Sequence, residues 1–196
     1  MRLRILGACL IAMFTVSTAA LGDIEEDGYW DGDTCGEGAS AAGTWELSSV
    51  TAFADGDDNF CWAWAEGEHS VYTTVSATLN WSYRIYVYVE GLVEPAGGTG
   101  GDAYAYGLAQ SDLPWEYPDK LEFAVDLETG EGDPVSDSDG DTRYVDGYDY
   151  FSDVNPVIRS EHSACSLGVV EYVETGEGST AFSHVCARAY GRMWEQ

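Results

Sequence analysis

Lysine is nearly missing from this chain. Lys120 is the only one, and Lys and Arg together number 8 against 35 Asp and Glu, for a formal net charge of −27. A chain so acidic repels phosphate, which excludes nucleic acid as a partner and disfavours anionic membrane surfaces. Histidine is scarce too. His69, His162 and His184 are the only three, which leaves few ways to build a serine triad or a histidine-rich metal cage. HExxH, G-x-S-x-G and phosphate-cradling glycine loops are all absent. Gly97–Gly101 is followed by neither Lys nor a helical pattern, and reads as a hairpin loop. Paired carboxylates for glycoside hydrolysis carry no signal where acids are this abundant. The expectation is a protein without catalytic activity. Beyond residue 16 no apolar run approaches the ~20 residues of a spanning helix, so no membrane insertion is expected. No 3.6-residue apolar stripe and no repeat of fixed period is visible.

What is present begins with a leader. Arg2 and Arg4 precede an uncharged apolar run from Ile5 to Val16, then the small residues Ser17-Thr18-Ala19-Ala20. That order is the pattern of a secretory signal peptide, taken here as residues 1–22. Leu6-Gly7-Ala8-Cys9 resembles a lipoprotein processing box, but the apolar stretch before it is too short to favour lipidation. Export implies an extracellular or cell-surface location. Loss of the leader leaves four cysteines: Cys35, Cys61, Cys165 and Cys186. An even count in an exported chain suggests two disulfides.

Residues 23–43 are rich in glycine and acid, and read as an irregular N-terminal arm. Residues 44–196 read as one domain. Val71, Thr73, Val75, Ala77 and Leu79 alternate with polar residues or tyrosine, as do Tyr83, Ile85, Val87 and Val89. A period of two puts each set on one face of a strand. Further strands are expected at Trp45–Phe53, Phe60–Glu66, Ala103–Gln110, Leu121–Leu127, Ala164–Glu174 and Ser179–Tyr190, separated by Gly-, Asp- and Pro-rich turns. Asn80-Trp81-Ser82, also a glycosylation sequon, is taken as a bend. About eight strands point to an all-β, single antiparallel β-sandwich, with jelly-roll and immunoglobulin-like orders both open. A two-residue turn at Thr175-Gly176 would set Cys165 opposite Cys186, within disulfide range. Cys35–Cys61 would follow by elimination.

Three groups of residues are candidate sites. Asp137, Asp139 and Asp141 space like the start of a calcium loop, and Asp146 or Asp149 could complete a shell. Thr142 stands where a helix–loop–helix site needs Gly and Tyr148 where it needs Glu, so the expectation is a calcium-binding β-loop. Tyr86, Tyr88, Tyr104 and Tyr106 form same-face pairs suited to stacking on sugar rings. Trp62 and Trp64 are taken as core, because their neighbours Cys61, Ala63 and Ala65 are small. His162 with Cys165 and His184 with Cys186 would make a zinc or copper set only with reduced thiols, so the disulfide is preferred. The expectation is an acidic, non-catalytic protein with a structural, adhesive or extracellular-matrix role, partnered by an extracellular polymer, a glycan or another surface protein. A calcium-assisted carbohydrate-binding module is the alternative, and a secreted hydrolase the third reading.

Overall fold

The computed structural model describes residues 22–25, 29–35, 40–44, 48–56, 59–73, 77–95, 100–129, 133–151, 156–170 and 179–195. Residues 1–21 and the turn at Thr175-Gly176 lie outside that set, as does the side chain of His69. Eight long strands carry the domain: β4 (Ser48–Gly56), β5 (Asn59–Thr73), β6 (Ala77–Glu94), β7 (Gly101–Asp112), β8 (Asp119–Thr129), β9 (Val135–Phe151), β10 (Pro156–Val170) and β11 (Ser179–Glu195). Three shorter ones, β1 (Gly22–Glu25), β2 (Tyr29–Cys35) and β3 (Ser40–Thr44), occupy the stretch read above as an irregular arm. They are sheet members, β1 and β2 pairing with β5, and β3 with β4.

Among the described residues all pairings are antiparallel and fall into two sheets. In the first, β5, β10, β7 and β8 follow in order, with β1 and β2 against β5; the second runs β3-β4-β11-β6-β9. Consecutive long strands alternate between sheets except β7 and β8, which pair with each other, and β4-β11-β6-β9 facing β5-β10-β7-β8 is the order of a jelly roll rather than an immunoglobulin domain. The sheets face each other, β4 over β5 and β10, β11 over β10 and β7, and β6 over β7 and β8.

Alternation carries the packing. Along β7 every odd residue from Gly101 to Ser111 is buried and every even one from Asp102 to Asp112 half-buried. The two sheets fill the space between them unequally. The first presents Ala63, Ala65, Ala103, Ala105, Ala109 and Ala164, and the second answers with Ile85, Val87, Val89, Val93 and Val185. Gly107 continues the small series: a Cβ there would lie 2.5 Å from Val87 Cγ1. A second cluster, with Leu79, Trp81, Tyr83, Leu113, Phe151, Ile158 and Met193, closes one end.

The interior also holds polar groups, all paired. Ser48 Oγ lies 2.7 Å from His162 Nδ1, Ser111 Oγ 2.6 Å from Ser160 Oγ, and Ser166 Oγ 2.6 Å from Ser183 Oγ. Ser183 in turn donates to the Leu167 carbonyl. Among the described residues no buried side-chain N or O lacks a partner, which removes the desolvation cost of placing them there.

Four expectations are corrected. β6 runs unbroken through Asn80-Trp81-Ser82, so no bend falls there. Residues 137–149 lie within a strand, β9, not a loop. β10 and β11 do not form a hairpin: β10 pairs with β5 and β7, and β11 with β4 and β6. Cys165 and Cys186 therefore sit in different sheets and form no disulfide with each other, because a local turn cannot dictate which sheet each strand joins.

Candidate functional site

Around Ala63, Ala65, Ala103, Ala105 and Ala164 the inner face of the first sheet is small, and the large side chains of β5 and β7 there stand on the outer face. On β5 the buried positions are Cys61, Ala63 and Ala65, so the alternation sends Trp62 and Trp64 outward. This reverses the core assignment made from their small neighbours. Phe60 is 46% exposed and Trp62 39%. Register then builds rows across the sheet. Trp64 pairs with Cys165 on β10, which pairs with Tyr106 on β7; Trp62 pairs with Leu167, which pairs with Tyr104. Glu66 pairs with Ser163, which pairs with Leu108, which pairs with Glu122 on β8.

At Ser163 and Cys165 the middle strand of this face carries short side chains, while rings rise on the strands to either side. The result is a groove of about 450 Å³, lined by Trp62, Trp64, Glu66, Tyr106, Ser163 and Cys165. Its walls stand on strands two apart, roughly 9.6 Å between backbones. Trp62 and Trp64 are stacked, ring centroids 4.3 Å apart and planes at 25°. Such a pair contributes ~0.5–1.5 kcal/mol beyond its buried area. Trp62 Nε1 donates to Cys165 Sγ at 2.9 Å, which pins the indole over the floor.

The opposite wall is held by charge. Tyr106 donates its hydroxyl to Glu122 Oε1 at 2.9 Å, and Lys120 Nζ lies 2.5 Å from Glu122 Oε2. The bonds from Lys120 and Tyr106 hold the Glu122 carboxyl below its usual range. Burial, then the bond to Glu122, pushes the Tyr106 phenol up to about 12. Burial raises the Cys165 thiol as well, against opposing bonds from Trp62 and the Ser166 backbone. At neutral pH the groove therefore offers aromatic faces, a hydroxyl, a protonated thiol and carboxylate acceptors. Those groups stack and hydrogen-bond; a thiol kept protonated is a poor nucleophile.

The other sequence candidates are dispersed. Tyr106 lines this groove and Tyr104 lies one row beyond it on β7, opposite Leu167, but Tyr86 and Tyr88 lie on β6 and face outward from the second sheet, on the far side of the sandwich. Asp137, Asp139 and Asp141 pair with Gly91, Val89 and Val87, and so lie on the inner side of β9, exposed where that edge overhangs the core. Successive ones are ~6.8 Å apart along the strand. Each accepts the N–H of the next residue, from Ser138, Gly140 and Thr142, at 2.7–2.8 Å. Asp149 accepts from Trp81 Nε1 at 2.8 Å, while Asp146 falls on the opposite face of β9. These five are not brought together, and among the described residues no three His, Cys, Asp or Glu are grouped to hold a metal ion.

The histidine–cysteine pairs separate as well. His162 is in the interior with Ser48, and Cys165 is on the outer face of the first sheet. On the second sheet His184 Nε2 lies 3.2 Å from Cys186 Sγ, and His184 Nδ1 2.8 Å from Thr51 Oγ1. That pair has the contact of a thiol–imidazole dyad, but Cys186 is fully buried and no substrate reaches it. Burial lowers the His184 pKa, Glu90 opposing, and favours neutral imidazole. Cys35 stands directly opposite Cys61 in the β2–β5 register.

No protein-family model and no curated protein matches this chain. Among solved structures it is similar to a carbohydrate-binding module in complex with β-1,4-galactotriose, at 10% identity, covering 80% of this chain and 88% of that one, with a TM-score of 0.23. It is also similar to a structure from a study of promiscuous specificity in carbohydrate-binding modules of the β-sandwich superfamily. There the identity is 14%, over 83% of this chain and 57% of that one, with a TM-score of 0.20. At such TM-scores these likenesses identify neither family nor ligand.

Proposed function

We propose that this chain is an exported, non-catalytic β-sandwich that binds an uncharged glycan in the groove of its first sheet, at or outside the cell surface. The observation that carries this reading is the solvent-facing wall of Trp62, Trp64 and Tyr106 around a floor of Ser163 and Cys165. Flat rings pack against the C–H faces of sugar rings, and the flanking Glu66 and Ser163 supply an acceptor and a hydroxyl for sugar hydroxyls. Convergent polar groups around an apolar cleft are the usual composition of a small-ligand site. A structural or adhesive role on an extracellular polymer is the same recognition seen at larger scale. A Cys35–Cys61 bridge belongs to the proposal, supported by their facing register.

The test is titration of soluble neutral oligosaccharides, followed by tryptophan fluorescence and calorimetry. Wild type should bind at least one, and Trp62→Ala should weaken it at least tenfold while melting within a few degrees of wild type. Tyr86→Ala, on the far sheet, should bind normally. A repeat with chelator measures any calcium contribution. Failure of a broad panel of neutral glycans to quench the tryptophans would refute the reading.

A further inference from the structure

The second sheet carries a different surface on its outer face. Only six basic residues follow residue 22: Arg84, Lys120, Arg143, Arg159, Arg188 and Arg192. Lys120 and Arg143 are in ion pairs, with Glu122 and Asp119. Three of the other four converge. Register places Arg84 on β6 opposite Tyr190 on β11, and Arg188 and Arg192 two residues to either side of Tyr190. Diagonal neighbours across such a pair are ~7–8 Å apart, so three guanidinium stems surround one ring.

Aromatic rings are interleaved with these arginines. Arg192 Cζ lies 4.4 Å from the Trp194 ring centroid, and Arg188 Cζ 5.7 Å from that of Tyr190. Tyr86 pairs with Arg188, Tyr144 with Arg84, and Tyr148 with Asn80 beside Trp194. Tyr144 is 55% and Tyr148 67% exposed. In the rows from Arg188 to Trp194 the one described carboxylate is Asp146, which pairs with Ser82. None of the three arginines makes an ion pair with a described carboxylate. Arg192 Nε instead donates to Ser82 Oγ at 3.1 Å.

We propose that this face binds a short acidic oligosaccharide, one bearing carboxylate or sulfate groups. Arg84, Arg188 and Arg192 pair with its anionic groups, and Tyr144 and Tyr148 stack on its sugar rings. Guanidinium forks match carboxylate and sulfate oxygens bidentately and stack on aromatic faces, which ammonium groups do not. Three of the six basic residues that follow residue 22 lie on one face, in a chain whose full sequence carries −27. The charge complement of that patch is an anion, and the rings select a sugar over a bare ion. The net charge restricts the ligand to a short chain, because a long polyanion is repelled by the rest of the molecule.

This site is independent of the groove on the first sheet, and the experiment separates the two. A galacturonate tetrasaccharide and a heparin-derived tetrasaccharide are titrated against the full chain in 0.15 M NaCl, with an uncharged tetrasaccharide as control. At least one acidic probe should bind, and the pair tells carboxylate from sulfate recognition. Arg84→Gln and Arg192→Gln should each weaken binding at least tenfold. Arg84→Lys, which keeps the charge but loses the fork and remains available if the Gln variants fold poorly, should weaken it several-fold. Trp62→Ala should leave it unchanged. The proposal is overturned if neither acidic probe binds at millimolar concentration, or if the arginine variants bind like wild type. It is also overturned if Trp62→Ala abolishes binding, or if sedimentation shows a dimer that Arg84→Gln dissociates, which would make a second copy the occupant.

Discussion

Gly107 is the position where the packing behind the groove is most exposed to test. It lies on β7 next to Tyr106 and faces the second sheet. A Cβ there would lie 2.5 Å from Val87 Cγ1, 3.0 Å from Val185 Cγ1 and 3.6 Å from Val89 Cγ1. Carbon atoms rest ~3.5–4.0 Å apart, so Gly107→Ala drives one methyl about 1 Å into Val87. β7 is held between β10 and β8 and cannot retreat. Overpacking of this kind costs ~1–3 kcal/mol. Replacing a strand glycine returns ~0.5–1 kcal/mol through the unfolded chain. The net loss is about 1–2 kcal/mol, or a fall in Tm of roughly 2–8 °C for a domain of this size. Val87→Ala alone removes two buried methyl groups, at a cost of about 2–3 kcal/mol including the cavity. In the double variant the new methyl occupies the space that Val87 vacates. Its destabilisation should fall short of the sum of the singles by about 1 kcal/mol or more. Urea unfolding of the four proteins measures this. Additivity within ~0.5 kcal/mol, or a Gly107→Ala variant as stable as wild type, would show that the small inner face of the first sheet is not set by the valines opposite.

Other outcomes follow from the same structure. Replacing Asp137, Asp139 and Asp141 by alanine strips three carboxylates that accept the N–H groups of Ser138, Gly140 and Thr142 on the edge strand β9. An edge with free donors recruits strands, so sedimentation in 0.5 M NaCl should show association absent from wild type; a monomer would count against edge protection. The Tyr106 phenol is raised from 10.0 to about 12. Its contribution to stability is complete below pH 10 and is lost as pH rises through about 12, so Tyr106→Phe should flatten the alkaline fall in Tm over that window. Native thiol labelling should find Cys165 slow and Cys186 silent until unfolding, given their partial and full burial; rapid labelling of Cys186 would contradict its packing against His184.

Much of the architecture could be read in the chain, because strand periodicity is local. The alternation in β6 and β7 announces which residues share a face. Strands expected at Trp45–Phe53, Phe60–Glu66, Ala103–Gln110, Leu121–Leu127, Ala164–Glu174 and Ser179–Tyr190 correspond to β4, β5, β7, β8, β10 and β11, but β9 is not among those expected, and the alternation from Val71 to Val89 is divided between β5 and β6. Which face is inside is another matter. In Cys61-Trp62-Ala63-Trp64-Ala65 a large–small alternation fits either assignment, and only the valines of the opposite sheet decide that the small set goes in. The spacing of Asp137, Asp139 and Asp141 suits a calcium loop, and Asp and Gly are common turn residues, so a loop is the expectation from sequence. Their two-residue spacing was nevertheless a strand signal, and an overhanging edge satisfies both.

The sequence alone established the acidity, the scarcity of lysine and the all-β character, since composition and a period of two need no partner strand. Sheet membership, the separation of Cys165 from Cys186, the gathering of Trp62, Trp64 and Tyr106 into one groove and of three arginines on the opposite face came only with the tertiary structure. Each depends on register between strands far apart in sequence. A one-residue slip in any of those pairings would turn the rings inward and leave a different surface.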